Sequence, residues 1–564
     1  MLLPPSRRRN PKRKLVTEVA MKASNVIARC LENEGVRYVF GVPGEEILDI
    51  IDSLVDSRIQ FVPTRHEQGA AFMADAWGRL TGRAGVCLAT LGPGATNLAT
   101  GVADANLDRA PLVAITGQAG LDRMHKESHQ FVDIVESMRP LTKWNTRLET
   151  AAVVPEVIRK AFKLAESEKP GACHVEVPED VAEADAEGSP LSAERTRRPS
   201  PDRPALQAAA QLIASAAFPL IFAGNGVVRG GAADELRAFS RRHGIPVVNT
   251  FMAKGCLPYD DPLCLFTAGL QARDYVSCGF EKADLIISVG YDPVEYAPRF
   301  WNPERKKTIV HVDFTPAEVD SYYQPAVEVV ADVRETLELL GELVKGQKDP
   351  EPFVVLRRFI KEQIEEGAGD DTFPIKPQRI LRELRSVMAR DDILISDVGT
   401  HKLWVARMFP AYEPNTVLIS NGYAAMGFAL PAAIAARLAR PKQRVVAVCG
   451  DGGFLMNVQE LETAQRLGVA LVCVIFRDGG YNLIEWKQEN QMGRTAGVRF
   501  GNPDFVTLAR AFGAKGVTVG ASRDLLPALR DAMAHPGVSI VDVPVDYGEN
   551  ARLTARLGQL VCPI

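Results

Sequence analysis

Two aspartates in the last third of the chain share nearly the same local sequence. Asp451 stands in VVAVCGDGG and Asp478 in LVCVIFRDGG, 27 residues apart. Each closes a run of apolar, β-type residues and is followed at once by glycines. Adjacent strands ending this way bring both carboxylates to one edge of a sheet. Two hard oxygen ligands suit Mg²⁺ or Ca²⁺, and Mg²⁺ completes its shell with phosphate oxygens and water. Gly452 and Gly453 admit close backbone approach, and QELETAQRL after them reads as a helix whose N-terminus faces an anion. A metal ion holding a diphosphate is the chemistry these residues can do. A lone GDGG is an ordinary turn; the pair at this spacing, each after a strand, is what sets it apart.

The elements that must position them recur along the chain. VRYVFGVPG, AGVCLATLGPG, PLVAITGQ and GACHVEVPED form one set of strand-then-turn units. FPLIFAGNG, IPVVNTF, ADLIISVGY and TIVHVDF form a second, and DILISDVG, RVVAVCGDGG, ALVCVIFRDGG and VSIVDVPVD a third. Continuous apolar strands alternating with helical stretches imply parallel sheets covered on both faces. The expected fold class is α/β, with three doubly wound parallel-sheet domains. Ligands of such sheets sit beyond the C-terminal strand ends, where the glycines and carboxylates lie. Polar stretches rich in Pro, Ser and charge set the expected boundaries. These give a basic disordered tail over 1–20 and an N-terminal domain over 21–185. After a linker over 186–204 come a central domain over 205–344, a second linker over 345–376, a C-terminal domain over 377–550 and a tail over 551–564; within the second linker, KGQKDPEP (345–352) and EEGAGDDTFPIKP (365–377) flank one short helical piece.

The bulk numbers agree with that division. A chain of 564 residues is too long for one core and divides into domains of roughly 100–200 residues. Charged residues are 24% and the net charge is −4, so neither nucleic acid nor a membrane surface is an expected partner. No apolar run reaches the roughly 18 residues of a membrane span. The start, MLLPPSRRRNPKRK, lacks the apolar core of a secretory signal. The nine cysteines are scattered, with no CxxC pair. They read as reduced, buried thiols of a cytoplasmic protein, not as a disulfide frame or zinc site.

GDG followed about 27 residues later by Asn or Asp resembles the metal–diphosphate motif of thiamine-diphosphate enzymes. The resemblance implies a pyrimidine-binding N-terminal domain, a central domain and a diphosphate-binding C-terminal domain. It makes Asp451 and Asp478 side-chain ligands of Mg²⁺ and the carbonyl of Gly480 a third ligand. Many members carry Asn-Asn where this chain has Arg477-Asp478, and a cation beside a metal is unfavourable unless it points away. In QFVPTRHEQGAAFMADAWGRLTG (60–82), Glu67 resembles the glutamate that contacts the aminopyrimidine ring. A carboxyl with a pKa raised by partial desolvation suits proton exchange with a ring nitrogen. SDVGTHKLWVARMF (396–409) and SNGYAAMGFALPAAIAARL (420–438) place Gly399, Thr400 and His401 around the diphosphate. Met426 becomes the wedge that holds the cofactor bent, and Gly452, Gly453, Asp478 and Tyr481 complete the cofactor-binding set. In this superfamily the site lies between the first domain of one subunit and the last of another. A homodimer is therefore the minimum expected assembly, and a homotetramer is expected.

Within the superfamily, LGPGATNLATGVADANLDRAPLVAITGQ (91–118) and SHQFVDIVESMRPLTKWN (128–145) closely resemble acetolactate synthases. In that match Gln130 lies near the reacting pyruvate, and His129 stands where the biosynthetic enzymes have an aromatic residue. SVGYDPVEYAPRFWN (288–302) resembles the FAD-free, catabolic sort and lacks the RFDDR-like stretch of the FAD-binding sort. Trp486 beside Lys487 and the ending IVDVPVDYGEN (540–550) have the same style, and Glu179 replaces a biosynthetic lysine. The resemblance spans residues 21 to about 550. It implies decarboxylation of pyruvate, a 2-keto acid, and joining of the two-carbon unit to a second pyruvate, without FAD. A thiamine-diphosphate decarboxylase or a carboligase using another acceptor is the rival within the superfamily. A cofactor-binding regulatory subunit without activity is the rival outside it, and intact Glu67, Asp451 and Asp478 weigh against it. GNGVVRGG (224–231), read alone as a dinucleotide loop, gives a third rival, an oxidoreductase; a strand-end turn is the plainer reading.

Overall fold

A computed structural model describes residues 21–194, 196–270, 274–550 and 562–564. The tail expected over 1–20 and all but the last three residues of that over 551–564 lie outside the described residues. Each apolar run forms a strand, and three six-stranded parallel sheets result. The first holds β1 (Tyr38–Gly41), β2 (Gln60–Pro63), β3 (Gly85–Ala89), β4 (Leu112–Gln118), β5 (Trp144–Arg147) and β6 (Ala172–Pro178). The second holds β7 (Pro219–Ala223), β8 (Val247–Asn249), β9 (Cys264–Thr267), β10 (Leu285–Val289), β11 (Thr308–Asp313) and β12 (Val327–Val330). The third holds β13 (Ile393–Ser396), β14 (Val417–Ile419), β15 (Val445–Gly450), β16 (Leu471–Arg477), β17 (Lys515–Thr518) and β18 (Val538–Pro544).

The first and third sheets share one strand order, β2-β1-β3-β4-β6-β5 and β14-β13-β15-β16-β18-β17. The central sheet runs β9-β8-β7-β10-β11-β12. Met21–Lys22 pairs antiparallel with Asp185–Ala186, which ties the start of the first domain to its end. In the third sheet Gly450 is in register with Phe476, and Arg477 with Pro544. Asp451 and Asp478 thus emerge side by side at one edge.

Helix α1 (Glu67–Thr81) joins the outer domains. Every residue from Gly69 to Gly78 is buried, the mark of a core helix rather than a surface one. Small residues make this possible. Ala71 meets Gly101 of α2 (Pro93–Leu107), and the Ala74 carbonyl fills the space beside Gly85 of β3. The remaining face packs on α4 (Ala429–Ala439), which follows α3 (Thr400–Met408) in the C-terminal domain. Phe72 meets Phe428 edge-on at 5.5 Å, and one apolar core runs through both domains.

The short helical piece read between the polar stretches of the 345–376 linker is helix Glu351–Glu365. Its Phe353, Leu356, Ile360 and Ile364 recur at helical spacing and are buried in the central domain's core. Cys278 and Cys562 form a disulfide, against the expectation of reduced thiols throughout. They lie 284 residues apart, so no local spacing announced the pair. The other seven cysteines are buried free thiols. Among the described residues no helix is long and apolar enough to cross a membrane.

Candidate active site

The third sheet opens at its C-terminal edge into a cleft of about 180 Å³. Gly399, Thr400, His401, Met426, Asp451, Gly452, Gly453, Asp478, Gly480 and Tyr481 all line it. Asp451 is buried and held by backbone donors: Gly452 N to Oδ1 at 2.9 Å, and Gly479 N and Asp478 N to Oδ2 at 2.8 and 3.2 Å. Gly479 turns the chain there at φ +71°, a conformation side chains resist. Gly452 has no room for a side chain, because a Cβ would lie 2.9 Å from the Tyr481 ring. Asp478 keeps a buried Oδ2 without a partner. Burial, and then the neighbouring Asp451, push its carboxyl up to about 7. The Asp478 carboxylate, disfavoured by burial and with an unmatched oxygen, lies beside the Asp451 carboxylate, and the two form a donor set that a divalent cation satisfies. The residues present therefore fit Mg²⁺.

Arg477 is explained by its partner. Its Nε donates to Asp542 Oδ1 on β18 at 2.7 Å, which turns the guanidinium toward the neighbouring strand. QELETAQRL forms the helix read there, over Glu460–Arg466, but the helix whose N-terminus lies at the cleft is a shorter one before it, Asp451–Met456. Asn457 breaks the run by giving its Nδ2 to the Gly427 carbonyl and to Gln68 Oε1.

His401 packs its ring against Gly399 and Gly450, where a Cβ would lie 2.8 and 3.2 Å away. Burial pushes its pKa down to about 3, so it is neutral, and its Nε2 has no partner. Thr400 Oγ1 donates to Asn482 Oδ1, which also accepts from Asn550 Nδ2; Trp404 Nε1 completes the chain by donating to Asn550 Oδ1. Met426 is preceded by Ala424 at φ +57° and followed by Gly427 at φ +86°. Glycine takes such a φ freely, but Ala424 holds it only where its surroundings over-determine it.

Glu67, His129 and Gln130 do not line this cleft. Glu67 is the first residue of α1, with 8% exposure, and its Oε2 accepts from Asn97 Nδ2 at 2.9 Å. It shares the turn before α2 with Gln130. A Cβ on Gly94 would sit 3.4 Å from Glu67 Oε1, and one on Gly92 3.0 Å from Gln130 Cβ. Gln130 has φ +56°, and both it and His129 are exposed. The expected site residues thus fall into two candidate half-sites, one on each outer domain.

Sequence reasoning missed several residues that hold these half-sites. Asn502 Nδ2 donates to Asp451 Oδ2 at 2.8 Å, and Arg499 Nη1 donates to the Asp478 carbonyl at 2.9 Å. Buried Glu460 accepts from the backbone of Arg65 and His66, just before Glu67. In the central domain Glu295 takes the end of β7. Its carboxylate accepts from Asn225 N at 3.0 and 3.1 Å and from Thr250 Oγ1 at 2.5 Å. Gly224 and Gly226 serve close contact with the backbone of Gly290 and Tyr291. No periodic or motif signal announced Glu295; it lies in the stretch that resembled the FAD-free enzymes.

Sequence profiles of three thiamine pyrophosphate enzyme domains match the chain: the N-terminal TPP-binding domain over 21–137, the central domain over 206–340 and the C-terminal TPP-binding domain over 397–543. The chain is 36% identical over 544 residues to the acetolactate synthase of Bacillus subtilis, covering 95% of each chain. It is 38% identical over 548 residues to a catabolic acetolactate synthase of Raoultella terrigena, covering 95% of this chain and 97% of that one. It is 35% identical over 554 residues to an acetolactate synthase large subunit of Corynebacterium glutamicum, covering 94% and 88%. Metal-ready aspartates, a buried neutral imidazole and relatives matched along nearly the whole chain agree, and the protein belongs to the acetolactate synthase family of thiamine pyrophosphate enzymes.

Proposed function

We propose that the protein is a flavin-independent acetolactate synthase, taking CO₂ from one pyruvate and joining the two-carbon unit to a second to give 2-acetolactate. The observation that carries the reading is the cleft where the unmatched Asp478 Oδ2 lies beside Asp451. Asp451, Asp478 and the Gly480 carbonyl would hold Mg²⁺. Gly399, Thr400 and His401 would surround the diphosphate, Gly452 and Gly453 admit it to the backbone, and Tyr481 closes one wall. Met426 would hold the cofactor bent. Bound thiamine diphosphate supplies the electron sink that accepts the pair released when the keto acid loses CO₂. Glu67 holds a proton toward the pyrimidine ring, Gln130 orients the keto acid, and His129 lies beside it. Apolar walls from Val398, Phe476, Leu483 and Ile484 keep out the water that would protonate the two-carbon unit.

Two further parts of the reading concern cofactor and assembly. Glu295 puts the protein's own carboxylate on the backbone donor at the end of β7, the place a nucleotide phosphate takes in such sheets. That supports function without FAD. The separation of Glu67 from the cleft of its own chain supports a homodimer whose partner completes each site, assembled further into a homotetramer. Domain limits at 21–185, 205–344 and 377–550 are part of the reading, each bracketing one sheet. So is a cytoplasmic location, which the seven free thiols support.

The test is incubation of purified protein with pyruvate, Mg²⁺ and thiamine diphosphate, without FAD. Acetolactate, assayed as acetoin after acid treatment, is the expected product. Acetaldehyde alone would reassign the protein to the decarboxylases. Neither product would discard pyruvate and turn the search to other 2-keto acids and acceptors.

A further inference from the structure

The segment that carries Met426 is fastened from another domain. Asp104 and Asp108, on and just beyond α2 of the N-terminal domain, are fully buried. Asp104 Oδ1 accepts from Ser420 Oγ at 2.6 Å, and Ser420 Oγ in turn accepts from Ala425 N at 3.0 Å. Asp108 accepts from Asn421 N at 2.9 Å and from Gly422 N. Arg79 of α1 binds Asp108 at 2.6 Å and gives Nη1 to the Ile419 carbonyl at 2.9 Å. From the C-terminal domain, Lys402 Nζ donates to the Ser420 carbonyl at 2.9 Å. Beyond Met426, Gly427 N donates to Asp397 Oδ1 at 2.9 Å. Asn421 Nδ2 reaches the Glu295 carbonyl of the central domain at 3.1 Å.

The bonds flank Met426 closely, one residue away on each side. They also bracket Ala424, a non-glycine residue whose positive φ needs outside support. A cluster meant only to join domains would have no reason to spend four acceptor bonds on one loop's backbone and its Ser420 hydroxyl. We propose that Asp104 and Asp108 are positioning residues that fix the 420–427 segment, and through it the Met426 side chain, for the reaction. The inference rests on the cofactor reading of the cleft. Burial, with Asp108 and Asp75 adding to it, raises the Asp104 carboxyl well above the usual range. Its second oxygen is buried 3.5 Å from Arg79 Nη2, so the guanidinium that holds Asp108 faces Asp104 as well.

The test uses the full chain, with amide hydrogen exchange followed in the cofactor-free protein. The variants are D108N, D104A, D104N, S420A and the double variant D104A/S420A. Losing one buried bond should speed exchange of the 420–427 peptide about tenfold in D108N, D104A and S420A, with β13 unchanged. D104N keeps an acceptor for Ser420 Oγ while giving up the Arg79 ion pair, and its loop should exchange more slowly than that of D104A. With Mg²⁺ and thiamine diphosphate, CO₂ release from pyruvate should fall about tenfold while cofactor half-saturation, read by protein fluorescence, moves less than about threefold. Effects of D104A and S420A should not add, because they act through one bond. S420A, which only removes a hydroxyl, decides the matter if an aspartate variant does not fold. Wild-type exchange of the loop in S420A and D108N would overturn the proposal, as would turnover that falls only in step with half-saturation. Wild-type protein that ignores thiamine diphosphate in both fluorescence and turnover would overturn the cofactor reading instead, while the exchange data would still report whether the clamp exists.

Discussion

His174, in the middle of β6, shows how far a single buried group controls behaviour. Its Nε2 lies 2.8 Å from Thr116 Oγ1, its Nδ1 has no partner, and burial alone pushes its pKa from 6.5 down to about 3. The folded protein therefore holds the neutral ring, while the unfolded chain takes up a proton once pH falls below 6.5. Stability from this residue is fully present above that value and is lost as pH falls toward the folded pKa. Between pH 7.5 and 5 the loss should be roughly 2 kcal/mol. Urea midpoints across that range should show it, and His174→Gln should flatten the slope; an unchanged slope would mean that other groups dominate. At this scale the sequence was legible where chemistry and spacing are local. Asp451, Asp478 and their glycines announce themselves because strand, carboxylate and turn are consecutive. Asp542 as the partner of Arg477, Asn502 beside Asp451 and Glu295 on the Asn225 amide were not legible. Each pair forms only when distant segments meet.

Helix α1 is the element on which the two outer domains close. Its small residues read as a helix, but not as one buried on all sides, because nothing in a sequence says which second domain will cover the far face. Gly78 makes the point in energies. Alanine there would gain about 1 kcal/mol of helix propensity. Its Cβ would lie 2.3 Å from the Pro111 carbonyl oxygen, a backbone atom that cannot rotate away. Overpacking of this kind costs about 1–3 kcal/mol, so Gly78→Ala should lower unfolding stability by about 1 kcal/mol net. A neutral or raised urea midpoint would show that the Pro111 turn yields. The inner strands of each sheet were legible as continuous apolar runs, while the edge strands β2, β5, β9, β12, β14 and β17, each short, were not read. The order of strands was not, and neither was the identity of order between the first and third sheets, which depends on crossover connections. The short helix Asp451–Met456 and its end at Asn457 escaped for a related reason: only the Gly427 carbonyl and Gln68, brought in by folding, take the Asn457 side chain and part that helix from Glu460–Arg466.

At the scale of the whole molecule, the residues proposed for one site fall into two groups that the chain does not join. The cleft with Asp451, Asp478 and Met426 is lined by the C-terminal domain alone, while Glu67 and Gln130 share a turn on the N-terminal domain. Within the chain those domains are locked by α1 against α4 and by the bonds of Asp104 and Asp108, so hinge closure would have to break a buried core. A second copy completes both sites at once if a two-fold axis sets each Glu67 against the other chain's cleft. The arrangement makes a quantitative prediction. Glu67→Gln, which keeps an acceptor for Asn97, and Asp451→Asn, which keeps the shape of the metal residue, should each abolish turnover alone. In a hybrid dimer one site carries both changes and the other carries neither. Random reassociation of equal amounts should place half the chains in hybrids and restore about a quarter of wild-type activity. Were each site built within one chain, every site in the mixture would carry one change, and mixing would restore nothing. Dissociation at low protein concentration, followed by mixing and an assay of CO₂ release, decides between the two, because no arrangement of intact single-chain sites can yield activity from two inactive parents.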